Sequence, residues 1–251
     1  REEFPTEIVK RAAELGLFGI PFPEEVGGQG GDLLSFCLCL EEIGRYDSSL
    51  AITLEAAVGL AANPIFRFGT DEQRERWLVP MARGEAIGAF ALTEPGGGSD
   101  ARAIRTTVRL DGGEWVIDGS KAFITNSGTP LTSVILVAAR DEEADDGDVS
   151  TIVVPVGTQG LSVGPSYRKL GWRASDTHEV SFDGCRVPAD HLLGERGRGY
   201  AAAACAAIST DRCRHGAERE QRSYHRCGDA DAPGDFYGAP SAQSALCVSC
   251  H

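Results

Sequence analysis

The spacing of apolar residues changes near residue 85, and this change limits the chain to a helical region followed by a β region. In residues 5–16, 35–46 and 49–67, apolar side chains recur every three or four positions, which is the period of an amphipathic helix. Thr70-Asp71-Glu72-Gln73 has the form of a capping box, in which a hydroxyl and a Gln side chain satisfy free N–H groups at a helix start. Residues 1–84 are therefore predicted to form an all-helical domain.

Residues 85–194 carry short runs of alternating apolar and polar side chains, as β-strands do. Asp111-Gly112-Gly113 separates two such runs and predicts a hairpin, and Asp118-Gly119 predicts a second turn. The runs that predict strands are 106–110, 114–117, 122–125, 133–139, 150–156 and 179–182. We expect a small β-barrel-like domain here, which makes the fold class α+β.

Charge and hydropathy exclude several classes of partner. The chain carries 37 acidic and 24 basic residues, a net charge of -13, which disfavours binding to phosphate backbones and anionic lipid surfaces. No apolar run approaches the roughly 18 residues of a membrane-spanning helix, and residues 1–5 lack signal-peptide character. We therefore expect a soluble, intracellular protein that binds neither nucleic acid nor membranes.

Residues 195–251 are expected to form a disordered tail, because neither period continues beyond residue 200. Two other interpretations of this tail remain open. Cys247-Val248-Ser249-Cys250-His251 matches the attachment pattern of c-type haem, without an accompanying axial-ligand context. Cys213, His215, His225 and Cys227 could bind zinc, although their spacing matches no familiar tetrahedral site. No metal site is predicted.

The segment Leu92-Thr93-Glu94-Pro95-Gly96-Gly97-Gly98-Ser99-Asp100 is the most specific in the chain. Glycines let a backbone approach a flat or phosphorylated ligand, to which N–H groups and hydroxyls can donate. On these residues alone, a ligand-binding loop and a flexible loop are equally open. The segment resembles the acyl-CoA dehydrogenase signature Leu-Thr-Glu-x-x-x-Gly-Ser-Asp. Other blocks resemble that family in family order, which identifies residues 4–200 as a member of it; they are 23–31, 68–73, 118–126, 169–177 and 185–188.

The resemblance implies an FAD-dependent enzyme that dehydrogenates an acyl-CoA thioester between its α- and β-carbons, with hydride transfer to FAD. It also implies the site residues. One side of the cofactor would be lined by Phe90, Ala91, Leu92, Thr93, Gly98 and Ser99, with Ser99 also at the acyl-CoA entrance. The flavin ring would pack against Phe123, Ile124 and Thr125, and many relatives have Trp in place of Phe123. Phe123 and Ile124 could instead be ordinary core residues of a strand.

The chain departs from the family pattern after residue 200. The four-helix bundle at the family's C-terminus, which carries the catalytic Glu, does not appear as family sequence, so no catalytic residue is assigned. The codons from Thr210 onward, read from their second base, allow a sequence close to the expected helix, which suggests a frameshift near Ser209. We expect this chain alone to bind FAD weakly and not to dehydrogenate.

The resemblance further implies partners and a location. Family members pass electrons to an electron-transfer flavoprotein and form homo-oligomers, and they act in the cytoplasm or, in eukaryotes, in the mitochondrial matrix. Two functional alternatives remain open. The chain could be a catalytically inactive truncated or frameshifted fragment, or a same-fold flavoprotein resembling the acyl-CoA oxidases.

Overall fold

The computed structural model describes residues 3–98, 103–144 and 148–199. The predictions for Ser99 and for residues 200–251, including the haem, zinc and frameshift hypotheses, lie outside these ranges. Within them, helices occupy the first part of the chain and strands the second. The predicted α+β fold class is therefore confirmed.

The helical part runs from residue 6 to residue 82. Aspartates start two of its helices: Asp32 accepts the Ser35 N–H at 2.8 Å, and Asp47 accepts the Ser49 N–H at 2.7 Å. Wider, π-helical turns interrupt the regular pattern at Ala56–Ala62 and Arg74–Leu78. Within the described residues, the α-helices are α1 (Thr6–Glu14), α2 (Leu33–Tyr46), α3 (Ser48–Glu55), α4 (Asn63–Phe68), α5 (Asp71–Gln73) and α6 (Val79–Ala82).

The capping box predicted at residues 70–73 is confirmed. The Thr70 hydroxyl accepts the Gln73 N–H at 3.2 Å, and the Gln73 side chain accepts the Thr70 N–H at 3.1 Å. Both donors lie at the start of α5, where no backbone carbonyl can reach them. The box therefore fixes the point at which the chain re-enters helix after Gly69.

Replacing Thr70 by Ala is expected to lower the free energy of unfolding by about 1 kcal/mol. The change removes the acceptor of the Gln73 N–H and leaves the apolar core untouched. Urea unfolding followed by tryptophan fluorescence measures the loss. Thr6→Ala is the matched control, because α1 has no side-chain cap. Equal losses in the two variants would contradict the role of the cap.

Residues 48–68 form a helix of 21 residues, long and apolar enough to cross a membrane by length and composition. The expectation that the chain has no such stretch is therefore wrong. Half of its apolar window is buried inside the protein. Ala61 contacts β1 (Ile87–Ala91) at Gly88, where an added Cβ atom would lie 2.7 Å from the Ala61 Cβ. The helix thus packs directly on the first strand.

The strands form one curled sheet. Within the described residues, they are β1 (Ile87–Ala91), β2 (Thr107–Asp111), β3 (Glu114–Thr125), β4 (Thr132–Asp141), β5 (Val149–Pro155), β6 (Leu161–Ser166) and β7 (Thr177–Pro188). Both β1 and β2 pair with β4 in parallel, and β5 pairs with it in the antiparallel sense. The other three pairs of neighbouring strands are antiparallel: β2 with β3, β3 with β7, and β7 with β6. Strand β4 therefore occupies a central position.

One of the two predicted turns exists and the other does not. Gly112 and Gly113 have φ of +62° and +85°, as a two-residue type I′ hairpin requires. The turn predicted at Asp118-Gly119 is wrong, because β3 continues through it. A Cβ atom on Gly119 would lie 2.7 Å from the Thr106 Cα. The glycine permits a close passage of the neighbouring chain, and no reversal takes place.

The sheet is buried on both faces at β4. Leu136 belongs to the core shared with the helices, where it packs with Ile87 and Leu78. Ile135 points to the opposite face, in a core with Trp115. The side chains of Leu136, Ile135 and Leu78 are all fully buried. Burial on both faces explains why this strand reads as a continuous apolar run.

The helices and the sheet are also joined at the chain that leaves β7. The Gln73 Nε2 donates to the carbonyls of Asp190 at 2.7 Å and Leu192 at 2.9 Å. Beside it, the buried ring of His191 meets the Trp77 ring edge-on at 5.0 Å, and its Nδ1 lies 2.8 Å from the Val153 carbonyl. Polar and aromatic contacts therefore fix this junction together.

Candidate functional site

The chain leaves β1 at Ala91 and enters a tight turn that is fixed to β3. The Lys121 Nζ donates to the Leu92 carbonyl at 3.0 Å, and the Ala122 N–H donates to the Thr93 carbonyl at 2.9 Å. Glu94 and Gly97 exchange two backbone hydrogen bonds of 3.0 and 3.1 Å. The glycine-rich segment therefore begins as an ordered turn.

A buried ion pair lies beneath this turn. The Lys121 Nζ lies 2.8 Å from the Glu94 Oε1, with side chains that are 0% and 6% exposed. The Glu94 carboxylate also accepts the N–H groups of Arg105 at 2.7 Å and Thr106 at 2.9 Å. Burial would raise the pKa of Glu94, but the hydrogen bonds from Lys121, Arg105 and Thr106 hold this pKa below its usual range. Burial lowers the pKa of Lys121, and Glu94 opposes that shift.

Phe123 lies at a bulge in β3. Lys121 pairs with Val180 and Ile124 with His178, so β3 advances three residues while β7 advances two. The Phe123 backbone has φ +60°, a region that bulky residues rarely adopt. Its side chain is 56% exposed, and its ring lies 5.0 Å from that of Tyr167. Bulges next to active sites often redirect a side chain in this way.

The structure brings some of the predicted site residues together and separates the side chains of others. The Thr93 carbonyl is bonded to Ala122, the residue before Phe123, and a Cβ atom on Gly98 would lie 3.6 Å from the Thr93 Cγ2. Three other predicted residues are partly buried: Phe90 lies in β1, Leu92 directly follows β1, and Thr125 ends β3. Ala91 and Ile124 are 0% and 2% exposed as whole residues and belong to the core that contains Trp115.

The described residues leave space around the glycines of the turn. A Cβ atom on Gly96 would meet no described atom closer than 4.0 Å, and one on Gly98 none closer than 3.6 Å. Neither glycine is therefore required by contacts within the described part of the chain. A ligand that approaches the backbone closely would explain both.

Sequence reasoning missed three residues that shape the site: Lys121, Tyr167 and Asn126. Asn126 follows β3 with φ +64°, and its Nδ2 donates to the Thr53 carbonyl of α3 at 3.0 Å. Its Oδ1 has no hydrogen-bond partner within the described ranges, although the residue is fully buried. The sequence does indicate that Lys121 is buried, because strand alternation places this charged residue on the same face as Trp115 and Ile117.

The site residues offer hydrogen-bond donors, an aromatic face and open backbone. In the described part of the chain, no group of three or more His, Cys, Asp or Glu could hold a metal ion. This combination suits a flat aromatic cofactor that accepts hydrogen bonds at its edge.

Two family models match consecutive parts of the chain. The N-terminal domain of acyl-CoA dehydrogenase matches residues 1–85, and the middle domain of acyl-CoA dehydrogenase matches residues 89–185. The chain belongs to the acyl-CoA dehydrogenase family. The resemblance seen in the sequence motifs is therefore confirmed.

Individual members of the family are similar in sequence and in structure. A probable acyl-CoA dehydrogenase of Bacillus subtilis, YngJ, is 42% identical over 198 residues, which are 79% of this chain and 52% of the relative. The structure of butyryl-CoA dehydrogenase from Megasphaera elsdenii is 33% identical, with a TM-score of 0.78 over 99% of this chain and 67% of that one. An acyl-CoA dehydrogenase from Bacillus anthracis, solved in complex with FAD, is 39% identical, with a TM-score of 0.74 over 80% of this chain and 34% of that one. The chain spans about half the length of the curated relatives it matches.

Proposed function

We propose that this chain supplies the FAD-facing part of an acyl-CoA dehydrogenase, which oxidises an acyl-CoA thioester between its α- and β-carbons. One observation carries the proposal: Thr93 keeps two donors free within the described residues and is bonded to β3 at Ala122, next to the exposed Phe123. Neither the N–H nor the hydroxyl of Thr93 has a hydrogen-bond partner within the described residues. The carbonyl of Thr93 is fixed by Ala122, the residue before Phe123.

These groups fit an isoalloxazine ring. Phe123 offers an apolar face of the size that stacks on a flat ring, and the donors of Thr93 would bind the polar edge. FAD supplies the hydride acceptor when bound. Donors fixed before the reaction stabilise negative charge on the reduced ring, because they need no reorganisation as that charge develops.

The other predicted site residues take supporting roles in this proposal. Leu92 and Gly98 would approach the cofactor through their backbones, Ala91 and Ile124 would support the site from the core, and Phe90 and Thr125 would border the ring. Ser99, outside the described residues, would lie near the flavin pyrophosphate and the acyl-CoA entrance.

The proposal includes the partners and location that the family resemblance implies. We propose an electron-transfer flavoprotein as electron acceptor, further copies of the chain in a homo-oligomer, and a cytoplasmic or mitochondrial-matrix location. The net charge of -13 disfavours nucleic acid and anionic membranes as partners.

We further propose that the 251-residue chain alone binds FAD weakly and does not dehydrogenate acyl-CoA. The support is that it matches about half the length of its curated relatives, and that no predicted site residue is a carboxylic acid placed to remove the α-proton. The chain would then need additional protein to complete the cofactor site and to supply a base.

Replacing Phe123 by Ala is expected to weaken FAD binding about tenfold, which corresponds to about 1.4 kcal/mol, because the stacking face is lost. Quenching of FAD fluorescence on titration with the purified chain measures the affinity. Val156→Ala removes a comparably exposed apolar side chain at the end of β5 and should leave the affinity unchanged. Absence of saturable quenching with the unaltered chain would overturn the proposed cofactor.

An anaerobic mixture with FAD and a series of acyl-CoA thioesters separates the functional alternatives. We expect the visible absorbance of the flavin to persist with this chain alone. Its loss on addition of an acyl-CoA would overturn the proposed inactivity, and rapid recovery in air would then favour an oxidase.

A further inference from the structure

Lys121 makes a contact that charge neutralisation does not require. Its ammonium group is fully buried and donates both to the Glu94 carboxylate at 2.8 Å and to the Leu92 carbonyl at 3.0 Å. The first contact compensates the two buried charges. The second fixes the orientation of a peptide group at the end of β1.

The orientation of that peptide group determines where the Thr93 N–H points. Every described peptide bond is trans, and in a planar trans peptide the C=O and N–H bonds point in opposite directions. The Leu92 carbonyl points at Lys121. The N–H of Thr93, in the same peptide group, therefore points away from the buried ion pair.

The next peptide group is fixed by different partners. Its carbonyl, from Thr93, accepts the Ala122 N–H at 2.9 Å, and its N–H, from Glu94, donates to the Gly97 carbonyl at 3.0 Å. No bond within the described residues uses the Thr93 N–H. Lys121 is thus the side chain that orients the Leu92–Thr93 peptide, while the backbone of β3 and the turn hold the one after it.

We propose that Lys121 is a positioning residue that turns the Thr93 N–H toward the cofactor. This inference rests on the proposed FAD site. A fixed donor contributes more than a mobile one, since its peptide dipole is already aligned when charge develops on the bound ring. Lysine suits this role because its ammonium group has three donors on a flexible stem, enough for both Glu94 and Leu92.

The comparison of E94Q with E94Q/K121M tests the inference. In E94Q the buried carboxylate is gone, and the amino group of Lys121 can still donate to the Leu92 carbonyl. In the double variant that donor is absent, while the volume of the side chain is nearly retained. The two proteins therefore differ in the bond that orients the peptide and share the loss of the carboxylate.

We expect E94Q/K121M to bind oxidised FAD about tenfold more weakly than E94Q does, and to bind reduced FAD about a hundredfold more weakly. The additional tenfold loss of affinity for the reduced form lowers the midpoint potential of this two-electron couple by about 30 mV. A merely structural role would not produce that shift. Equal affinities and equal potentials in the two variants would overturn the inference.

Crystal structures of the two variants without FAD separate this inference from the proposed function. We expect the Leu92 carbonyl to keep its direction in E94Q and to rotate in E94Q/K121M. An unrotated peptide in the double variant would overturn the role of Lys121, whatever the chain binds. If the peptide rotates but the unaltered chain binds no FAD, the orientation by Lys121 stands and the proposed cofactor is wrong.

Discussion

The K121M variant is expected to lose about 3–5 kcal/mol of unfolding free energy at pH 7. The change leaves the Glu94 carboxylate buried without its cation, and the two N–H groups of Arg105 and Thr106 do not neutralise it. A buried charge without a partner is much more costly than the loss of an exposed ion pair. Urea unfolding followed by tryptophan fluorescence measures the difference.

The pH dependence of this loss has a definite sign. In the unaltered chain the pKa of Glu94 is depressed, so its stabilising effect is present at neutral pH and is lost as the pH falls through that pKa. In K121M burial raises the pKa of Glu94 instead, so the carboxyl takes up a proton on acidification and the deficit shrinks. K10M, at an exposed lysine of α1, should change stability by less than about 0.5 kcal/mol. Equal losses in K121M and K10M would show that the pair is not needed for stability.

Replacing Glu55 by Gln is expected to stabilise the protein by up to about 3 kcal/mol at pH 8 and to leave it unchanged near pH 4. Glu55 ends α3, and its Oε1 lies so close to Gly59 that an added Cβ atom there would be 2.9 Å away. Burial raises the pKa of this carboxyl to about 7. Ionisation in the folded state is therefore unfavourable, at about 1.4 kcal/mol for each unit of difference from the unfolded pKa.

The unfolded chain releases the Glu55 proton near pH 4.5 and the folded chain near pH 7, so the unaltered protein loses stability as the pH rises through this interval. The amide of the E55Q variant cannot ionise, so that protein should show no such loss. Unfolding midpoints in urea at a series of pH values measure the divergence. Glu42→Gln, at an exposed residue of α2, serves as the control. Parallel pH profiles for E55Q and the unaltered chain would contradict the raised pKa.

Local chemistry explains which parts of the fold could be predicted from sequence. The cap at Thr70 and the hairpin at Gly112-Gly113 depend on residues within three positions of one another, so their sequence alone is informative. The turn predicted at Gly119 is wrong because the reason for this glycine is distant: the chain at Thr106 passes too close for a side chain. A glycine within a strand is consistent with either a bend in the chain or a close approach of a neighbouring chain.

Two strands have no corresponding prediction. β1 reads Ile-Gly-Ala-Phe-Ala, whose small residues give no alternation, since Gly88 is selected by contact with Ala61. β6 contains Gly164-Pro165 and shifts its register there against β7. In β1 the decisive contact comes from a helix far away in the sequence, whereas in β6 Gly164 and Pro165 themselves interrupt the alternation.

In the candidate site too, the sequence indicates some residues, while others are identified only by the fold. The family resemblance groups Thr93, Gly98 and Phe123, and the structure places Gly98 near Thr93 and bonds Thr93 to Ala122, the residue before Phe123. The pairing of Glu94 with Lys121, 27 residues apart, depends on how β3 lies under the turn. A sequence pattern marks each as charged, but only the fold shows that each is buried against the other.

The side chain of Gln73 serves two parts of the molecule at once. Its oxygen completes the cap at Thr70, and its nitrogen binds the carbonyls of Asp190 and Leu192 beyond β7. The start of a helix cannot fray without releasing the chain that leaves the sheet, and the reverse also holds. The helical region that the first family model matches is therefore coupled in local opening to the segment that follows the middle-domain match at residue 185.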